Sequence, residues 1–246
     1  MSRTIRPGDR PRSELPAEQA GKNAEVDAFL RAAARLPAHK GQPAQPKGRL
    51  LFALDATASR QPTWDRACDI QGEMFAATAS LGGLAVQLAY FRGMAEFRAS
   101  PWVNDSRSLI DYMAGVRCER GLTQIERVLA HAVEEAKRHR INALVYVGDS
   151  MEEIPDGLKA LAGELGLLGI PVFVFHEGND PVAAETFRHI ARLTRGAYLS
   201  FDSSSPRLLR DLLAAIAIYA VGGHAALRDF SKSAREEVRR LTHQLG

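Results

Sequence analysis

Short unbroken apolar runs alternate along most of this chain with longer segments whose apolar residues recur at helical spacing. Leu50-Leu-Phe-Ala-Leu54, Leu84-Ala-Val-Gln-Leu-Ala-Tyr90, Ala143-Leu-Val-Tyr-Val147, Ile170-Pro-Val-Phe-Val-Phe175 and Ala197-Tyr-Leu-Ser-Phe201 read as strands. Several are apolar on both faces, as strands of a parallel sheet covered by helices must be. Helices are expected at about 63-80, 124-139, 156-168, 181-195 and 206-221. Ala95-Glu-Phe-Arg-Ala99 follows the second strand across only Arg92-Gly-Met94. A crossover helix does not fit in that space, so these two strands should pair antiparallel. The pattern predicts an α/β fold: a doubly wound, mostly parallel central sheet with one antiparallel edge strand and helices on both faces.

The two ends differ from this body. Residues 1-48 hold six of the 12 prolines and few large apolar residues, too little surface to offset the entropy of ordering. They read as a largely disordered basic tail with nine Lys/Arg against five Asp/Glu, whereas the remainder carries 23 against 24. Within the tail, Val26, Phe29, Leu30 and Ala33 fall at i, i+3, i+4 and i+7. A short amphipathic helix near 24-36 is expected there, fit to dock on its own body or on a partner. At the other end, Gly222-Gly223 should stop the last helix of a domain spanning 49-223. A helical extension over 224-246 should follow, within which Ser233-Ala-Arg-Glu236 fits a capping box and Ala234, Val238, Leu241 and Leu245 form a stripe.

Composition narrows the chemistry. Among 246 residues there are two cysteines, Cys68 and Cys118, without C-x-x-C spacing; neither a disulfide framework nor a zinc knuckle is indicated, and the expected compartment is the cytoplasm. The charged N-terminus has no apolar stretch behind it, and the longest apolar run, Leu212 to Val221, is too short for a membrane span. The tail's basic residues are scattered with Phe29 as its only aromatic, so nucleic acid is not an expected partner. Seven histidines show no H-E-x-x-H spacing, and no G-x-x-x-x-G-K-[ST] or G-x-G-x-x-G loop is present to cradle a nucleotide phosphate.

In a doubly wound sheet, ligands bind beyond the carboxyl ends of the strands where the winding direction reverses. The first strand ends there in Asp55-Ala-Thr57-Ala-Ser59, the fourth in Gly148-Asp149-Ser150, and a long loop brings Gly121-Leu-Thr123 to the start of a helix. Alternation along an extended turn would aim Asp55, Thr57 and Ser59 to one side. Carboxylate and hydroxyl oxygens without His or Cys suit a hard cation, magnesium better than calcium, with manganese also possible. If neutral hydroxyls supply much of the coordination, the ion stays electrophilic and can take an Asp or Glu from another protein. The same residues have simpler explanations: Asp55 and Asp149 as strand ends, and Thr123 as a helix N-cap with Glu126 three residues on.

The D-x-[ST]-x-S motif after the first strand, the later Thr and the Asp after the fourth strand resemble the metal-ion-dependent adhesion site of von Willebrand factor A (vWA) domains of the intracellular bacterial type, over about residues 49 to 221. The resemblance implies that Thr57 and Ser59 bind the ion directly, Thr123 directly or through water, and Asp55 and Asp149 largely through water. It also implies a non-enzymatic protein-interaction module whose loops rearrange when an acidic ligand arrives, and a partner such as a chaperone or ATPase. Thr57 stands where Ser is usual, and Gly148-Asp149-Ser150 replaces the common Thr-Asp-Gly. Two alternatives remain. One is a haloacid-dehalogenase-like phosphatase with Asp55 as nucleophile and Asp149 and Glu153 holding magnesium, although Thr57 stands where its general acid belongs. The other is a metal-free structural adaptor acting through its terminal helices.

Overall fold

The structure is a computed structural model that describes residues 48–201 and 206–244. Six strands form one sheet in the order β3-β2-β1-β4-β5-β6. They are β1 (Gly48–Asp55), β2 (Leu84–Arg92), β3 (Glu96–Ala99), β4 (Ala143–Gly148), β5 (Val172–Glu177) and β6 (Ala197–Phe201). All neighbours pair in parallel except β2 and β3, which pair antiparallel with Phe91 opposite Phe97. The doubly wound sheet and its antiparallel edge are therefore as the apolar runs predict.

Successive side chains of a strand face opposite sides, and β1 divides its residues accordingly. Leu50, Phe52 and Leu54 join a core with Trp64 and Ala67 of α1 (Gln61–Ile70), Met74 of α2 (Gly72–Thr78), Leu109 and Met113 of α3 (Ser106–Ala114), and Leu212, Leu213 and Ile216 of α7 (Pro206–Gln244). Leu51 and Ala53 join the opposite core. That core includes Val128 and Leu129 of α4 (Ile125–Arg138), Leu158 and Leu165 of α5 (Pro155–Leu167), and Phe187 and Ile190 of α6 (Pro181–Leu193).

Two local expectations are corrected. The single helix at 63-80 is α1 and α2 followed by a 3₁₀ turn at Ala79–Leu81, closed by Gly82 at φ 106°. The loop before residue 124 contains α3, which Asp105 caps by accepting the Ser108 amide at 2.9 Å. As expected from the glycine pair, the helix breaks there: Gly223 leaves helical geometry, at φ 64° and ψ −157°, and a second helix follows to Gln244, so α7 is two helices joined at a kink. Past that kink, Leu227 is buried in the first core and Phe230 packs against it.

The tail, its helix near 24-36, and the side chains of Ser233, Ala234, Glu236, Val238, Leu241 and Leu245 lie outside the described residues. Among the described residues, no helix is long and apolar enough to cross a membrane.

From β1 the sheet grows through β2 to β3 on one side and through β4 to β6 on the other. The reversal therefore falls between β1 and β4, which places Asp55 beside the Gly148-Asp149 turn at the carboxyl rim.

Candidate functional site

The rim begins where β1 runs out of partners. Asp55, 2 % exposed, turns one carboxylate oxygen back on its own chain: Oδ1 accepts the Thr57 amide at 2.7 Å. Oδ2 is buried without a hydrogen-bond partner among the described residues. Burial pushes the carboxyl up to about 6; hydrogen bonds from Thr57 oppose the rise, nearby Asp149 adds to it and Arg60 subtracts.

Thr57 is buried and extended, at φ −69° and ψ 164°. Its carbonyl accepts the Arg60 amide at 2.9 Å and closes a 3₁₀ turn over Ala58–Arg60. Ser59 thus sits on a turn of helix and not on the extended turn expected from alternation. From there its Oγ donates to Asp149 Oδ2 at 2.7 Å. Ser150 Oγ lies 3.3 Å from the other Asp149 oxygen.

His176, buried near the end of β5, fixes the backbone of the Asp149 turn. Its Nε2 lies 3.0 Å from the Asp149 carbonyl and its Nδ1 2.8 Å from the Tyr198 hydroxyl. A carbonyl can only accept, so Nε2 carries the proton and Nδ1 accepts from Tyr198. Burial holds the ring's pKa below the ordinary histidine value, which keeps it neutral.

Thr123 is buried but engaged differently. Its hydroxyl donates to Glu152 Oε2 at 2.8 Å, its amide donates to the same oxygen at 2.9 Å, and the hydroxyl accepts the Glu152 amide at 3.1 Å. Neither does Thr123 cap the helix, which begins at Ile125. Glu153 does so, with its two oxygens accepting the amides of Ile125 at 2.8 Å and Glu126 at 2.7 Å. A carboxylate on these orphan amides also meets the positive end of the helix dipole. The loop carrying Thr123 is tied to the rim at Glu119, whose amide donates to the Ala56 carbonyl at 3.0 Å. At Gly121 a Cβ would lie 1.9 Å from the Gly93 carbonyl oxygen, so the two backbones touch.

The structure thus bonds Thr57 to Asp55 and Ser59 to Asp149, while the Thr123 hydroxyl faces Glu152. Sequence reasoning missed Arg60, Glu177, His176 and Glu152, and named Glu153 only as a magnesium ligand of the phosphatase alternative. Arg60 is buried, with Nη1 2.5 Å from Glu177 Oε2 and 3.8 Å from Asp149 Oδ2. Thr63 Oγ1 donates to the same Glu177 oxygen. Position alone could have flagged three of these: Arg60 follows the hydroxyl motif directly, and His176 and Glu177 end a strand at the same rim.

The donors present fit a hard dication. They are carboxylate and hydroxyl oxygens, and the unpartnered Asp55 Oδ2 is a buried acceptor whose ionisation a nearby cation would favour. Among the described residues, no three His, Cys, Asp or Glu side chains gather as a site built from those types alone would require. Hydroxyl donors are therefore essential to any metal held here.

No family model matches the chain, and no curated protein matches it. Solved structures do. The VWA domain of SpRpn10 superposes at TM-score 0.53 and 15 % identity, covering 68 % of this chain and 93 % of that one. A D319A mutant of the PilB minor pilin from Streptococcus sanguinis gives 0.55 at 10 % identity, covering 78 % and 65 %. Proximal thread matrix protein 1 from the mussel byssus, described with a zinc-occupied MIDAS motif, gives 0.53 at 14 % identity, covering 70 % of this chain and 48 % of that one. The fold is vWA-like.

Proposed function

We propose that this chain is a non-enzymatic protein-interaction module that binds an acidic group of a partner protein through a divalent metal at the β1/β4 rim. The observation that carries this reading is the pairing of Ser59 with Asp149 beside the buried, unpartnered Oδ2 of Asp55. Thr57 and Ser59 would supply neutral oxygens, and Asp55 and Asp149 the negative charge. Thr123 would join only if its hydroxyl shared itself between the ion and Glu152. Bound there, magnesium or manganese would supply an electrophilic position for the partner's Asp or Glu. Likeness to the mussel byssus protein described with zinc in its MIDAS motif supports a divalent ion of some kind.

The non-enzymatic reading draws support from the thiols. Cys68 and Cys118 are half-buried and burial pushes both up to about 11, which makes them poor nucleophiles. The phosphatase alternative is weakened because both oxygens of Glu153 are bonded to helix amides. A cytoplasmic setting, an interaction domain bounded near 49-223, and a chaperone or ATPase as partner belong to the same proposal; the last rests on fold analogy alone. Calorimetric titration of metal-free protein with magnesium and with manganese tests it. Wild type should bind, and Asp55→Ala and Ser59→Ala should bind at least tenfold more weakly. Identical titrations for all three would refute the ligand set.

A further inference from the structure

Arg60 is the buried cation beside the proposed metal ligands, and the metal reading gives it no role. Its guanidinium is 3 % exposed, so water screens it little and its charge acts at nearly full strength on its neighbours. Burial and the ion pair with Glu177 hold it in place, and its backbone belongs to the 3₁₀ turn that also carries Ser59. Its Nη1 sits 3.8 Å from Asp149 Oδ2, the same oxygen that accepts Ser59, while Glu177 Oε2 holds that nitrogen from the other side at 2.5 Å. Its Nε has no hydrogen-bond partner among the described residues, so the guanidinium is not fully satisfied where it lies.

We infer that Arg60 is an intramolecular rival of the divalent ion: its guanidinium supplies part of the positive charge that Asp149 and Asp55 require. Glu177 sets the strength of the rivalry by holding Arg60 back from Asp149. The inference rests on the metal-site reading proposed above. With Asp55, Asp149 and Glu177 ionised, the one guanidinium leaves two net negative charges among these four groups. A dication then brings these groups to neutrality, so a partner's carboxylate would be drawn by the ion's own open coordination position and not by an excess of positive charge. The rim is consequently assembled without metal, and its affinity for a dication is low because the newcomer shares Asp149 with a buried cation.

The experiment is calorimetric titration of the full chain with magnesium and manganese, together with melting curves in chelator and in 5 to 10 mM magnesium (roughly, a saturating excess over weak binding). Wild type, Arg60→Gln, the double variant Arg60→Gln/Glu177→Gln and Asp55→Ala are compared. Both Arg60 variants should bind metal at least tenfold more tightly than wild type, and should gain more melting temperature from magnesium than wild type does. The double variant removes the buried pair together and leaves no lone charge, so it serves if Arg60→Gln alone does not fold. Equal or weaker binding by the folded Arg60 variants, with wild type binding and Asp55→Ala not, overturns the rivalry and leaves the metal site standing. If neither wild type nor the Arg60 variants titrate, the rivalry and the metal reading fall together.

Discussion

Replacing Asp55 by Asn tests whether this carboxylate is held in the fold at a cost. The carboxyl is pushed up to about 6 from its ordinary 3.8, chiefly by burial. Each tenfold change in acidity corresponds to about 1.4 kcal/mol, so ionised Asp55 costs the folded state about 3 kcal/mol. The sign follows from linkage. Between pH 3.8 and about 6 the folded chain binds this proton more tightly than the unfolded chain, so stability falls as pH rises through that window. Below the window both states are protonated and the penalty vanishes; above it the full penalty remains.

Asparagine cannot ionise, but it buries an amide where Oδ2 lacks a partner, a pH-independent cost of about 1–3 kcal/mol. The absolute stability of Asp55→Asn is therefore less informative than its pH dependence. Urea denaturation of wild type and variant in chelator, from pH 4 to pH 8, should show their difference moving by about 2–2.5 kcal/mol in favour of the variant, the rest of the penalty having set in below pH 4. In a chain of this size that corresponds to roughly 4–10 °C in melting temperature. His131 and His176, both held below the ordinary histidine value by burial, titrate in both proteins and cancel from the comparison. Added magnesium should recover much of the loss for wild type and none for the variant. A difference that stays flat across this pH range would refute the claim that burial strains Asp55.

Glu153→Ala should cost about 2–3 kcal/mol by denaturation, since it removes two charge-assisted bonds from the amides opening α4; Glu153→Gln, which keeps one acceptor, should cost about half as much. Gly121→Ala should be among the most damaging single-methyl changes, by several kcal/mol or failure to fold, because its Cβ would sit 1.9 Å from backbone at Gly93; expression and circular dichroism decide. His176→Phe keeps the ring's shape but drops its bonds to the Asp149 carbonyl and the Tyr198 hydroxyl, and should cost about 1–3 kcal/mol. In the same variant, metal affinity measured by calorimetry should fall as the Asp149 turn loosens.

The sheet was legible because its strands are short, continuous apolar runs, and because three residues between β2 and β3 leave no choice but a hairpin. Helix α3 was not. Its buried residues are only Leu109 and Met113, while Ile110 and Tyr112 face solvent, so helical periodicity is blurred. The break at Gly223 was legible because a glycine at positive φ ends a helix, whereas the packing of Leu227 into the first core beyond it is a tertiary contact.

At the rim, the oxygen-bearing residues announced themselves by position after the first and fourth strands. What escaped was who bonds to whom. The ion pair of Arg60 with Glu177 joins residues 117 positions apart, and the capture of Thr123 by Glu152 spans 29. Both exist only once the strands lie side by side.

One contact at the far end of the sheet bears on how the domain would carry load. Gly48 opens β1 against α7 so closely that a Cβ would lie 2.4 Å from the Ala220 carbonyl oxygen. The eight-residue strand then runs roughly 25 Å to the rim between ladders to β2 and β4. Tension between the chain preceding Gly48 and a partner gripping the rim would pull β1 along its own axis. Both ladders would be sheared at once and could not unzip bond by bond, so the same central strand that presents Asp55 would act as the tether resisting extraction.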